Sequence, residues 1–192
     1  MQETEITVQV FNKLEEIKTI LDKQGFAHIK TKTLNDYYFS RFDNQTIKEL
    51  HYPQLLANSF LIREIGLPDK KIVELLYKNK SIDENGVVIS EEKIKSNLDD
   101  FENAVKVLKK AGLNCWCNLK QDLFIYAKEK IEFALQVVEG VGIFIEYEED
   151  ESMTGLSEQE KINIMLANLK EIGLKLGDDY SCKKVFMKLK GK

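Results

Sequence analysis

One stretch constrains the fold of this chain more than any other: residues 137–149, which read V-V-E-G-V-G-I-F-I-E-Y-E-E. Gly140 and Gly142 are turn signals, and the residues after them alternate as a β-strand does. Phe144, Glu146 and Glu148 fall on one face, and Ile143, Ile145 and Tyr147 on the other. Taken alone, the segment has a simple account as a half-exposed antiparallel strand with a solvated carboxylate face. The N-terminus repeats the pattern, with Glu3, Glu5, Thr7 and Gln9 on one face and Ile6, Val8 and Val10 on the other. Two such strands, one at each end of a domain, could line one cavity. Four converging carboxylates repel each other unless a cation or basic side chains sit among them, so such a cavity suits a hard metal.

Composition narrows the classes of partner. The chain has 192 residues, 43% of them hydrophobic, which is enough for a single domain, 1–192, with a sizeable core. Its net charge is -4, from 28 basic and 32 acidic residues. With no long basic block, nucleic acid is excluded as the main partner, and any bound anion should be small and held in a local pocket. No apolar run approaches the roughly 18 residues of a membrane span, and polar residues follow Met1 at once, so neither membrane nor secretory signal is expected. A cytoplasmic protein is the expectation. Cys115 and Cys117 lie two apart on a strand, where Cα atoms are about 6.5–7 Å apart, at or beyond disulfide reach. A zinc site would need four ligands, so all three cysteines are expected to be buried free thiols.

Taken in order, the pattern predicts a helix over 12–24 ended by Gly25, a β-like segment over 26–39, and a polar excursion over 40–58 that contains Pro53. Strands over 59–65 and 71–78 form a hairpin across Gly66 and Pro68. In the first, Arg63 shares a face with Leu61 and Ile65; in the second, Lys78 shares one with Glu74 and Leu76. A strand over 86–94 and an amphipathic helix over 99–111 follow, the helix ended by Gly112. Residues 114–126 alternate, with Asn118, Lys120 and Asp122 opposite Cys115, Cys117 and Leu119. A strand over 130–137 precedes the glutamate strand; after a linker, helices over 156–174 and 180–189 close the chain. If the aliphatic strand faces pack outward on the helices, the charged faces point inward, as in a closed antiparallel sheet with a polar lumen.

This order, from the carboxylate strand through Asp36-Tyr37-Tyr38-Phe39, Arg63, Tyr77-Lys78, Ala111-Gly112-Leu113 and Lys120 to Val-Glu-Gly-x-Gly-x-Phe-x-Glu-x-Glu at 138–148, resembles the CYTH family. These are the triphosphate tunnel metalloenzymes, which include class IV adenylate cyclases, thiamine triphosphatases and inorganic triphosphatases. The similarity runs from Glu3 to Leu189, and the C-terminal segment is most similar to the cyclase-like branch. The resemblance implies an α+β fold: an eight-stranded antiparallel β-barrel, or tunnel, with a polar lumen and helices packed outside. It implies that Glu3, Glu5, Glu146 and Glu148 are metal-side acids for Mg²⁺ or Mn²⁺. It also implies that Arg63, Lys78 and Lys120 grip a triphosphate or other phosphorylated anion, with catalysis by positioning and charge neutralisation.

The chain departs from the family pattern where phosphate and metal are handled. Thr7 stands where Glu-x-Glu-x-Lys has its lysine, and Leu61 where an arginine precedes Arg63. Lys120-Gln121-Asp122 replaces Lys-x-Arg, Gln136 replaces the aspartate before Val-Glu-Gly, and Lys93 and Lys95 interrupt the acidic strand over 91–97. Each lost cation removes a charge-assisted hydrogen bond worth roughly 1.5–3 kcal/mol. Two readings stay open: a tunnel protein that binds a phosphorylated anion with catalysis weakened or lost, and an active Mg- or Mn-dependent cyclase or triphosphatase. A homodimer is compatible with either. Arg63 and Lys78 have a second account as structural partners of the glutamates across the lumen, an ion network with no ligand. Tyr37, Tyr38, Trp116, His28 and His51 read as packing or surface residues.

Overall fold

The computed structural model describes residues 4–82 and 88–191, without the side chains of 52, 53, 78–82 and 88–93. In chain order the elements are β1 (Glu5–Val10), α1 (Leu14–Lys23), β2 (Ala27–Ser40), α2 (Asn44–Glu49), α3 (Tyr52–Ala57), β3 (Phe60–Gly66), β4 (Lys71–Ile82), β5 (Val88–Leu98) and α4 (Phe101–Lys110). Then come β6 (Asn114–Lys128), β7 (Ile131–Val138), β8 (Gly142–Glu148), α5 (Glu158–Ile172) and α6 (Lys184–Lys190). The fold is α+β, with an eight-stranded sheet in the order β1-β8-β7-β6-β2-β3-β4-β5. The β1–β8, β7–β8, β6–β7, β2–β3, β3–β4 and β4–β5 ladders are antiparallel. The tunnel fold implied by the motifs is built on such a sheet. Among the described residues, no helix is long and apolar enough to cross a membrane.

The chain forms two compact units, Met1–Thr31 with Gln121–Lys184, and Lys32–Lys120 with Val185–Lys192. In the first, Ile6, Val8 and Val10 pack with Ile17 and Leu21 of α1 and with Met165, Leu169 and Ile172 of α5. Ile17 and Leu21 are four residues apart, which puts both on one face of α1, and both are fully buried. Burial of each contributes about 1.5–3 kcal/mol. The helix stops at Gly25, whose φ of +80° suits glycine. A capping box between Ser157 and Glu160 starts α5, and Gly173 ends it in the left-handed conformation. In the second unit β3 and β4 form the expected antiparallel pair, with Arg63 opposite Glu74 and Leu61 opposite Leu76. The α4 residues Phe101, Val105 and Leu108 cover Phe39, Ile62, Val73 and Leu75.

Two expectations need correction. The last helix was expected over 180–189 but begins at Lys184, because the preceding residues are claimed by the outer edge of β1. Thr7 N–H donates to Tyr180 O at 2.9 Å and Cys182 N–H to Thr7 O at 3.0 Å; further along, Phe11 N–H donates to Lys175 O at 2.9 Å and Gly177 N–H to Gln9 O at 2.8 Å. An edge strand has a row of backbone groups needing partners, and this segment supplies them. Asp179 supports the turn by accepting from Ser181 N–H at 2.8 Å. The second correction concerns the thiols: all three are free, but only Cys117 and Cys182 are buried, while Cys115 is exposed. Burial pushes the Cys117 thiol up to about 11, so it is an inert packing group.

Candidate metal and anion site

The β1–β8 ladder sets Glu5 opposite Glu148, Thr7 opposite Glu146 and Gln9 opposite Phe144. Residues directly opposite in a ladder share a face. Since Ile6, Val8, Val10, Ile145 and Tyr147 are buried in the core with α1 and α5, the other face carries the carboxylates. The same row continues through Ala134 and Gln136 of β7 to Leu123 and Ile125 of β6. Carboxylate oxygens of Glu5, Glu146 and Glu148 lie within 4.8 Å of one another. At that separation each ionised pair repels by about 3 kcal/mol at an effective dielectric near 20, so a nearby cation would stabilise the arrangement. Three carboxylate oxygens are also the donors that Mg²⁺ or Mn²⁺ takes, so the side chains present fit either ion.

A cation from the chain itself reaches this cluster. Lys184 Nζ donates to Glu146 Oε2 at 2.6 Å and also to Gln136 Oε1. Gln136 is 2% exposed, and its neutral carbonyl serves as an acceptor for the ammonium. Strand periodicity cannot find Lys184, because its position depends on residues 175–182 running along β1. On the same face, Gln121 Oε1 is buried with no hydrogen-bond partner among the described residues. Beyond the cluster, Glu149 accepts from Lys161 Nζ at 2.6 Å and from Thr4 N–H at 3.0 Å. The Lys161 hydrogen bond, with that from Thr4, lowers its carboxyl to about 2.

Glu3 lies outside the described residues. The backbone of Lys78 pairs opposite Lys93, and its side chain lies outside what is described. Arg63 donates from Nε and Nη2 to the two oxygens of Asp36, at 2.7 Å each. Asp36 is 1% exposed, so this two-pronged pair matches a buried charge. Leu61 and Leu76 are buried on the same face of the hairpin, and Glu74 pairs with Lys95 at 2.7 Å. Lys120 is exposed. Strand alternation groups it with Asp122, Phe124 and Tyr126, away from the face carrying Gln121, Leu123 and Gln136. The aromatic residues pack, with Tyr38 against Trp116 at 5.3 Å and Tyr37 against Phe101 at 4.8 Å between ring centres. His28 is exposed, with its ring against Tyr126.

No family model matches the chain. It is 29% identical over 196 residues to a Methanocaldococcus jannaschii protein provisionally named an adenylate cyclase, a match covering 100% of this chain and 99% of the relative. A solved Pyrococcus horikoshii protein superposes with a TM-score of 0.66 at 22% identity, covering 98% of this chain and 99% of its own. A Hippeastrum protein, provisionally an adenylyl cyclase and described as having a dominant triphosphatase activity, superposes with a TM-score of 0.61 at 18% identity, covering 98% and 95%. Full-length sequence similarity to that Methanocaldococcus protein and the shared fold of the solved structures agree with the resemblance to the CYTH family carried by the glutamate-strand motif.

Proposed function

We propose that the chain binds a triphosphate or another small phosphorylated anion together with Mg²⁺ or Mn²⁺, on a CYTH-type fold whose catalysis is weakened or lost. The observation that carries this reading is the meeting of Glu5, Glu146 and Glu148 oxygens within 4.8 Å. A metal bound there would supply the positive charge that phosphate oxygens need beside three carboxylates. Glu5 and Glu148 are exposed and offer oxygens to an arriving ion; Glu146 is half-buried and holds Lys184. Uncharged side chains at three motif positions weaken catalysis. Thr7, Leu61 and Gln136 are all at least nine-tenths buried and supply none of the charges the motif has there. At roughly 1.5–3 kcal/mol for each missing charge-assisted bond, the combined loss amounts to several orders of magnitude in affinity. Arg63, Lys78 and Lys120 remain the candidate phosphate-side bases, and substitution of each reads out its share. The ligand class is supported by the similarity to the Methanocaldococcus and Hippeastrum proteins. Such ligands are solutes of the cytoplasm, where free thiols also persist.

Calorimetric titration with ATP and with inorganic triphosphate, each with and without Mn²⁺, tests the reading. Submillimolar binding that needs Mn²⁺ and falls at least tenfold in Glu5→Gln and Glu148→Gln is expected. Binding that ignores both the metal and these substitutions overturns it. The second reading, a working cyclase or triphosphatase, is favoured by the activity described for the Hippeastrum protein. Cyclic AMP with pyrophosphate, or free phosphate, accumulating in the same samples would establish it.

A further inference from the structure

We propose that Lys184 is a built-in cation of the acidic site, held there by the C-terminal segment along β1, and that a free divalent ion must compete with it for Glu146. This rests on the metal-site reading of Glu5, Glu146 and Glu148. Three observations meet in it. The Lys184 ammonium sits 2.6 Å from Glu146 Oε2, one of the three clustered carboxylates, and the Lys184 side chain is 14% exposed. Gln136 adds a second, neutral acceptor for the same ammonium, so the nitrogen is held from two strands, β7 and β8. The backbone bonds of Tyr180 and Cys182 to Thr7 anchor the chain just before Lys184, and Thr7 is the residue opposite Glu146. The anchor and the ammonium therefore address the same rung of the sheet.

The electrostatic consequence is direct. Three ionised carboxylates carry three negative charges, and Lys184 cancels one of them. A divalent ion approaching Glu146 meets a cation already bound, and it must either displace that ammonium or bind beside it against like-charge repulsion. Lys184 thus stabilises the cluster when no metal is present and lowers its affinity for metal alone. The geometry also gives Gln136 a reason to be neutral: a second acceptor for the ammonium rather than a ligand to metal.

Mn²⁺ titration of the wild type, Lys184→Met and Lys184→Arg, without any phosphate compound, tests the inference. Lys184→Met is expected to bind Mn²⁺ at least tenfold more tightly than the wild type, while Lys184→Arg, which keeps the charge, stays within about threefold of it. In Lys184→Met the melting temperature should fall without metal and recover with Mn²⁺, a response the wild type shows only weakly. Equal or weaker Mn²⁺ affinity in a folded Lys184→Met overturns the role of Lys184 and leaves the metal-site reading standing. Absence of Mn²⁺ binding in all three proteins, with and without triphosphate, overturns both. If Lys184→Met does not fold, amide exchange in the wild type decides: saturating Mn²⁺ should speed exchange at Thr7 and Cys182 several-fold, and unchanged protection rejects the competition.

Discussion

Asp36 is 1% exposed, and a carboxylate that deep needs its charge matched by hydrogen-bonded donors. Arg63 supplies both, at 2.7 Å to each oxygen. Removing one partner of such a pair leaves the other uncompensated, so Arg63→Met should destabilise the protein by about 3 kcal/mol in urea denaturation, with or without a phosphate ligand. The double variant Asp36→Asn with Arg63→Met should lose less than the sum of the single losses, because the stranded charge is gone. Unchanged stability together with lost triphosphate binding would instead make Arg63 an anion ligand. Asp36 was legible as part of the Asp-x-Tyr-Phe motif, but its partner was not. That pairing needs the β2–β3 register, which sets Asp36 opposite Arg63. Lys184 is the sharper case, since nothing within its own segment distinguishes it from the neighbouring lysines.

At the scale of elements, helices with a strong apolar stripe were the easiest to read. The expected 12–24, 99–111 and 156–174 became α1, α4 and α5 with ends moved by a few residues, each stopped near a glycine as the pattern suggested. The segment 180–183 went the other way, because a free strand edge offered it backbone bonds that a helix end could not match. Glu149 ties three elements together at the end of β8, accepting from the backbone before β1 and from Lys161 of α5. With Lys161 holding its carboxyl down to about 2, this link adds stability above the ordinary carboxylate value and loses it as pH falls through the folded one. Lys161→Met should therefore lower the melting temperature near pH 6 by an amount corresponding to about 1 kcal/mol or less, as for a partly exposed pair. The gap between the two proteins should close as pH drops from about 4.5 to about 2, the interval between the ordinary and the shifted values. A gap that persists at pH 2 would assign the loss to packing of the lysine stem.

For the molecule as a whole, a ligand raises stability only as RT ln(1 + [L]/Kd). With Lys184 on Glu146 and a neutral Gln136, millimolar Mg²⁺ alone should move the melting temperature by less than about 5 °C. A larger shift in a thermal scan would show that the acidic face binds metal well without phosphate. The amino-acid sequence by itself determined most of the strands, the helices α1, α4 and α5, and the shared face of Glu146 and Glu148, because strand parity and helical spacing are local properties written residue by residue. It also determined which motif charges are missing. The tertiary structure alone decided which charges meet. Glu5, Glu146 and Glu148 converge through the β1–β8 register, and Arg63 is bound to Asp36. Lys184 enters the site only because β1 had an edge to fill. Charge pairing depends on distances between segments far apart in the chain, and no local periodicity encodes those distances.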